Sequence, residues 1–227
     1  MLDKKWRGIK TTQERKNENE PITITNRLGQ YSISLPRIDD NKRWAGYPSL
    51  SGTARRIAKI IPPCLYYVEP FAGTAKVYQE LIKIRPLVTI AKFILNDKSD
   101  FIFNWLKANM TNTIITQDDF KDCILKRDSK HTVFLIDMPW FKSYYDQSFS
   151  CFDRESVKDY ETQVLELCKT LKGKFIITTR KENQRMLKSG FFNYLVTSEY
   201  VLCGKYPRVL LTTNFKIKEL DGITKLC

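Results

Sequence analysis

The sequence predicts an α/β protein built on a doubly wound, mostly parallel sheet that ends in an antiparallel hairpin. Apolar runs of strand length alternate five times with stretches of helical spacing. One run, VFLIDMPW at residues 133 to 140, stays apolar until an acid ends it, which is typical of a central parallel strand. Two C-terminal runs at residues 194 to 203 and 208 to 215 are separated by GKYP, which indicates a hairpin.

The first 40 residues differ from the rest and are predicted to form a basic arm or a small β appendage. They are polar and charged, and short alternating segments follow KNENEP at residues 16 to 21. We therefore predict two parts, residues 1 to 40 and a main domain from 41 to 227. The main domain begins with a helical pattern that two prolines stop. Its apolar face consists of Ala54, Ile57, Ala58 and Ile61.

A strand, a tight glycine turn and a helix come next. The run CLYYVEPFAG at residues 64 to 73 leads directly into helical spacing, which is the first half of a mononucleotide-binding βαβ unit. The following apolar run ends at Asp97, about 24 residues beyond the turn. Such folds place an acid there to bind ribose hydroxyls, although an ordinary strand also ends in Asp often.

The remaining elements follow in the same alternation. Residues 98 to 112 read as a helix capped by Ser99 or Asp100, and a short strand then ends near Asp118 and Asp119. The segment from 141 to 152 is a polar, aromatic loop long enough to cover a site. A helix from about 154 to 171, the strand FIITTR and a helix at 181 to 190 precede the hairpin.

Composition predicts a polyanionic partner. Thirty-eight Lys and Arg against 25 Asp and Glu give a net charge of +13, and cations that neutralise phosphates gain affinity through counterion release. A solvated basic surface is the alternative. Candidate nucleic-acid contacts are Lys4, Lys5, Arg7, Arg55, Arg56, Tyr144, Tyr145, Lys205 and Arg208.

Several functional classes are disfavoured. No apolar window has the length of a membrane span and the N-terminus lacks a secretory signal, so we expect a cytoplasmic protein inside a prokaryotic or virus-infected cell. The six cysteines lack metal-ligand spacing, so no metal site is predicted. With a single histidine, His131, a histidine general base is also disfavoured.

Four segments together resemble the Dam-type DNA adenine methyltransferases, which use S-adenosylmethionine. They are RWAG at residues 43 to 46, VEPFAG at 68 to 73, LND at 95 to 97 and DMPW at 137 to 140. The resemblance covers about four fifths of the chain and implies a Rossmann-like class I methyltransferase fold. It also implies a cofactor site. Its residues would be Trp44, Ala45, Gly46, Glu69, Pro70, Phe71, Ala72, Gly73, Asp97, Asp119 and Phe120. Asp118 is an alternative to Asp119. Either acid could instead cap a helix.

The resemblance also assigns a catalytic turn, formed by Asp137, Met138, Pro139 and Trp140. Asp137 and the Met138 carbonyl would accept the two hydrogens of an adenine amine, and Trp140 would stack on a base flipped out of its helix. Met138 replaces the usual proline, so a damaged site is one alternative. Only sixteen residues, 121 to 136, precede the turn, too few for a target-recognition region.

Three hypotheses therefore stand at this point. The first is adenine methylation of DNA, of the restriction–modification kind, with specificity that is relaxed or supplied by a protein partner. The second is adenosine methylation of RNA, which Trp140 and the missing recognition region leave open. The third is a catalytically silent subunit that binds nucleic acid through the same fold.

Overall fold

A computed structural model describes residues 22 to 25, 32 to 35, 53 to 84, 90 to 139, 154 to 198, 208 to 218 and 220 to 226. The chain divides into two compact units, Met1–Lys42 and Arg43–Cys227. In the first unit, strands β1 (Ile22–Thr25) and β2 (Ser32–Leu35) pair antiparallel. The predicted division between residues 40 and 41 falls outside the described ranges and stays a prediction.

The second unit alternates strands and helices, as the apolar periodicity predicts. Its parallel part contains α1 (Ala54–Ile60), β3 (Tyr66–Glu69), α2 (Lys76–Ile84), β4 (Lys92–Asn96), α3 (Asp100–Asn109), β5 (Ile114–Thr116), α4 (Phe120–Leu125), β6 (Thr132–Ile136), α5 (Arg154–Cys168) and β7 (Lys174–Arg180). Its C-terminal part contains α6 (Gln184–Leu187), β8 (Phe192–Thr197), β9 (Arg208–Thr213) and β10 (Ile223–Lys225).

The eight strands of this unit form one sheet in the order β10, β8, β9, β7, β6, β3, β4, β5. The pairs from β5 to β7 are all parallel, and β9 runs antiparallel between β7 and β8. The predicted sheet with its terminal hairpin is therefore confirmed. Strand β3 pairs with both β4 and β6, so the chain order reverses beside β3, and crevices at such points hold the ligands of α/β sheets.

Apolar runs explain the core. All five residues of β6 are buried, as expected for a strand covered on both faces. The face predicted for α1 is buried at all four positions, including Ile61, which lies just past the helix end. No helix within the described ranges combines the length and apolar character needed to cross a bilayer.

Three features differ from the expectations. Helix α6 has 4 residues rather than about ten, because the Asn183 side chain caps Arg185 and Met186 and the short turn then ends near Gly190, at φ +82°. Helix α5 ends at Cys168, a few residues before the predicted end. Strand β10 was not predicted, since its 3 residues are mostly exposed and carry little apolar signal.

Candidate active site

The carboxyl ends of β3, β4 and β6 bring three acids to the edge of the sheet where the chain order reverses. Glu69 is the last residue of β3, Asp97 follows β4, and Asp137 follows β6. Because parallel strands in register end at the same edge, residues far apart in sequence meet there. Sequence analysis predicts all three acids as site residues, and the topology places them on one edge.

The glycine turn after β3 has the backbone shape that its sequence suggests. Gly73 has φ +50°, and a Cβ at this position would meet nothing within 4 Å, so the space beside it is open. The Ala72 amide donates to the Asn96 carbonyl at 2.8 Å, which ties the turn to β4. A turn that glycine keeps unobstructed lets a ligand approach the backbone closely.

Glu69 is a buried carboxylate beneath this turn. Its Oε1 accepts hydrogen bonds from the Tyr67 hydroxyl at 2.6 Å and from the Tyr78 amide at 3.0 Å. Burial raises the pKa of Glu69 from 4.5 to about 8, against the lowering effect of these two donors, and the nearby Asp137 raises it further. The site thus holds an acid that burial keeps protonated at neutral pH, and strongly shifted pKa values are typical of functional positions.

Asp97 joins the glycine turn to the start of α3. Its Oδ2 accepts from the Gly73 amide and its Oδ1 from the Ser99 amide, both at 3.0 Å. Burial raises the pKa of Asp97 from 3.8 to about 6, although the two amides lower it. Ser99, one of the two predicted caps, is the N-cap of α3.

Asn96 is a key residue of this edge that the sequence analysis missed as a site residue. Its side chain is 1% exposed, and its Nδ2 donates to the Pro70 carbonyl at 2.9 Å and to the Asp118 carbonyl at 3.0 Å. Its Oδ1 accepts from the Thr116 hydroxyl and the Asp118 amide, both at 2.8 Å. One side chain therefore fixes the spacing of the turns after β3 and β5. The only sequence signal is its place before Asp97.

The turn after β5 contains the predicted pair Asp119 and Phe120. Asp119 is the N-cap of α4 and pairs with Lys98 at 3.3 Å, so the helix-cap alternative describes its observed role. Asp118 is bound instead to Lys126 and Arg127, and the hydrogen bond from Lys126 is the main cause of its lowered pKa. The two neighbouring acids thus have different partners in the structure.

Aromatic rings pack between the turn after β3 and the turn after β5. Phe120 is 4% exposed and stacks on Phe71, with ring centroids 5.1 Å apart. Tyr160 of α5 packs edge-on against both rings. Phe71 is the half-buried member of the stacked pair, so it is the ring with surface left to offer a ligand.

The predicted catalytic turn follows β6. Asp137 is partly exposed and accepts a hydrogen bond on Oδ1 from the hydroxyl of Thr178 in β7. Met138 is 1% exposed and belongs to the main core cluster, and Pro139 is also buried. Met138 therefore anchors the turn through its apolar side chain. The Dam-type methyltransferases usually have proline at this position.

Several predicted site residues fall outside the described ranges. These are Lys4, Lys5, Arg7, Trp44, Ala45, Gly46, Trp140, Tyr144, Tyr145 and Lys205. Arg55 and Arg208 are exposed, as contacts to phosphate require. Arg56 is different, because its guanidinium donates to the Thr197 carbonyl and pairs with Asp221 at 3.6 Å. It links α1 to the C-terminal strands.

No protein-family model and no curated protein matches the chain. Its fold is similar to that of the M. jannaschii tRNA m1G37 methyltransferase, with TM-score 0.50 and 14% identity over 88% of the chain and 59% of that protein. It is also similar to a precorrin-6y C5,15-methyltransferase from Geobacter metallireducens, with TM-score 0.51 and 12% identity over 78% of the chain and 95% of that protein.

A third similar structure is SMU.472, assigned as a methyltransferase and solved with SAH. The TM-score is 0.52 and the identity 11%, over 78% of the chain and 55% of that protein. The chain thus spans less than two thirds of two of these three proteins. At these identities the comparisons establish the fold, and the predicted Rossmann-like methyltransferase fold is confirmed.

Replacing Glu69 with Gln is expected to change how stability depends on pH. Folded Glu69 keeps its proton up to about pH 8, whereas the unfolded chain loses it near pH 4.5. The free energy of unfolding of the wild type minus that of Glu69→Gln is therefore highest below pH 4.5. This difference falls by a few kcal/mol as the pH rises to about 8. Urea unfolding of both proteins from pH 4 to 9 measures the difference, and a difference independent of pH would contradict the assignment.

Replacing Asn96 with Asp is expected to destabilise the protein by roughly 3 kcal/mol, because the new oxygen faces two carbonyls that have lost their donor. Asn193→Asp is the matched control. Asn193 is also buried, but its Nδ2 contacts to Leu187 and Phe191 carbonyls are longer, at 3.4 and 3.3 Å. Denaturant unfolding should show the larger loss for Asn96→Asp, and equal losses would refute a special role for this amide.

Proposed function

We propose that the protein transfers a methyl group from S-adenosylmethionine to the amino group of adenine in a nucleic acid. The observation that carries the proposal is the position of Asp137, which follows β6 beside β3, interacts electrostatically with Glu69 and shares with Asp97 the edge where the chain order reverses. The methyltransferase fold and the SAH bound to SMU.472 support the choice of cofactor. The four-segment resemblance supports the choice of adenine.

The residues at this edge fit the chemical groups of the cofactor. The open backbone at Gly73 suits a closely bound amino-acid end, and Asp97 suits ribose hydroxyls as an acceptor. The buried acid Glu69 suits a cation, because a positive charge nearby would favour its ionised form. When bound, the cofactor supplies an electrophilic methyl group.

Asp137 is the residue that acts on the substrate amine in this proposal. An adenine amino group is a weak nucleophile because its lone pair is delocalised into the ring. A hydrogen bond accepted by Asp137, with a second accepted by the Met138 carbonyl, would hold the nitrogen in the geometry that exposes this lone pair. Trp140 remains the predicted stacking partner of the base.

DNA is the first candidate polymer and RNA the second. The net charge of +13 supports a polyanion without choosing between them. RNA is favoured by one specific observation: residues 121 to 136 are fully described and hold only α4, a turn and β6, with no room for a target-recognition region. A similar structure is also a tRNA methyltransferase by name. A specificity-providing protein partner would fill the same gap for DNA.

Labelled methyl transfer to adenine-containing DNA and RNA, each single- and double-stranded, tests the proposal. We expect label on adenine in one polymer, and Asp137→Ala should lower the rate by at least about 100-fold because it removes an acceptor for the amine. Asp122→Ala, which removes an exposed acid in the first turn of α4, should keep the wild-type rate. Base-resolution mapping of the labelled polymer identifies any recognition sequence.

Two outcomes would contradict methyl transfer. Binding of both polymers without label would favour the catalytically silent subunit. Failure of S-adenosylmethionine to bind in a calorimetric titration would exclude both enzymatic hypotheses. Full activity of Asp137→Ala, with label still on adenine, would instead show that another residue orients the amine.

A further inference from the structure

We infer that Thr178 is a positioning residue for the reaction, which it serves by fixing the orientation of the Asp137 carboxylate. This inference rests on the proposed function of Asp137. Neither the periodicity of FIITTR nor the resemblance to adenine methyltransferases singles out Thr178. It lies in β7, outside the turns that hold the other candidate residues.

The register of the sheet brings the two side chains together. Strands β6 and β7 are parallel, with Ile136 opposite Ile177. The residues that follow these two, Asp137 and Thr178, are therefore neighbours. The Thr178 hydroxyl donates to Asp137 Oδ1 across this pair. A one-residue shift in register would replace Thr178 with Ile177 or Thr179 and reverse the face presented.

Thr178 lies where a hydroxyl without a hydrogen bond would destabilise the fold. Thr178 is 0% exposed and follows three buried apolar residues of the strand, Phe175, Ile176 and Ile177. A buried hydroxyl destabilises the fold unless it is hydrogen bonded, and valine would fill the same volume without that cost. Threonine also has few χ1 rotamers in a strand, so its hydroxyl points in a fixed direction. The donor is thus rigid, buried and directed at one carboxylate oxygen.

Asp137 lies immediately beyond the last residue of β6. The backbone ladder that fixes residues Thr132–Ile136 does not extend to it, and its side chain is partly exposed. A hydrogen bond to Oδ1 restricts rotation of the carboxylate and thereby sets the direction of Oδ2. Small errors in the orientation of a catalytic group lower rates strongly, because reacting atoms must meet at defined distances and angles.

Three single variants test the inference by steady-state methyl transfer. Thr178→Val, which removes the hydroxyl and keeps the shape, should lower kcat about 10- to 100-fold and leave KM for cofactor and polymer within about 2-fold. Thr178→Ser should recover most of the lost rate. Thr179→Val is the matched control, because Thr179 is also buried but its hydroxyl donates to the Arg180 carbonyl at 3.4 Å rather than to Asp137.

A double variant separates positioning from a general structural effect. If Thr178 acts through Asp137, adding Thr178→Val to Asp137→Ala should cause no further loss of kcat. A further loss equal to that of the single variant would overturn the inference, as would a wild-type kcat for Thr178→Val or an equal loss for Thr179→Val. Wild-type thermal stability of each variant confirms that the fold is intact.

A crystal structure of the Thr178→Val variant gives a result that does not depend on activity. We expect the Asp137 carboxylate to rotate or to occupy more than one orientation, compared with one orientation in the wild type. An unchanged carboxylate would overturn the inference even if methyl transfer were never detected. A rotated carboxylate in a protein that transfers no methyl group would instead support the positioning contact while the proposed function failed.

Discussion

The candidate site depends on the side chain of Asn96. A sheet alone sets the directions of its strands, but the turns that follow the strands need separate restraints. Asn96 provides them by using both of its donor hydrogens and its acceptor oxygen on the turns after β3 and β5. Each such bond contributes about 1 kcal/mol net, and a buried amide left without partners costs more than that. One buried residue therefore joins the turns after β3 and β5.

The adjacent Asp97 extends this restraint to the rest of the edge. Its two oxygens bind the amides of Gly73 and Ser99, so the glycine turn is held both through Asn96 and through Asp97. Two successive residues at the end of β4 thus organise the neighbouring turns on either side. A site formed in advance in this way loses less conformational entropy when a ligand binds.

The charges at this edge contrast with those of the chain as a whole. A protein with net charge +13 places Glu69, Asp97 and Asp137 at one edge of its sheet, and burial raises the pKa of the first two to about 8 and about 6. The ionised form of a buried acid is costly, so burial favours the protonated form. A bound ligand carrying positive charge would relieve that cost. This reasoning connects the electrostatics to S-adenosylmethionine, which carries such charge, independently of the sequence resemblance.

Much of the fold could be predicted from the sequence, because the signals involved are local. Apolar runs such as β6 and the glycine turn at Gly73 depend on residues next to each other in the chain. The contributions of Asn96 and Thr178 could not be predicted, since they depend on strand pairing and register across 22 and 41 positions. The Phe71 and Phe120 stack was missed for the same reason, and β10 because a short exposed edge strand has a weak apolar signal.

A crystal structure of the protein with SAH tests the central claim most directly. The account predicts that the ribose hydroxyls contact Asp97, that the amino-acid end lies against the turn at residues 69 to 73, and that the sulfur faces Asp137. Binding of SAH at another surface, or its absence from this edge at saturating concentration, would contradict the account.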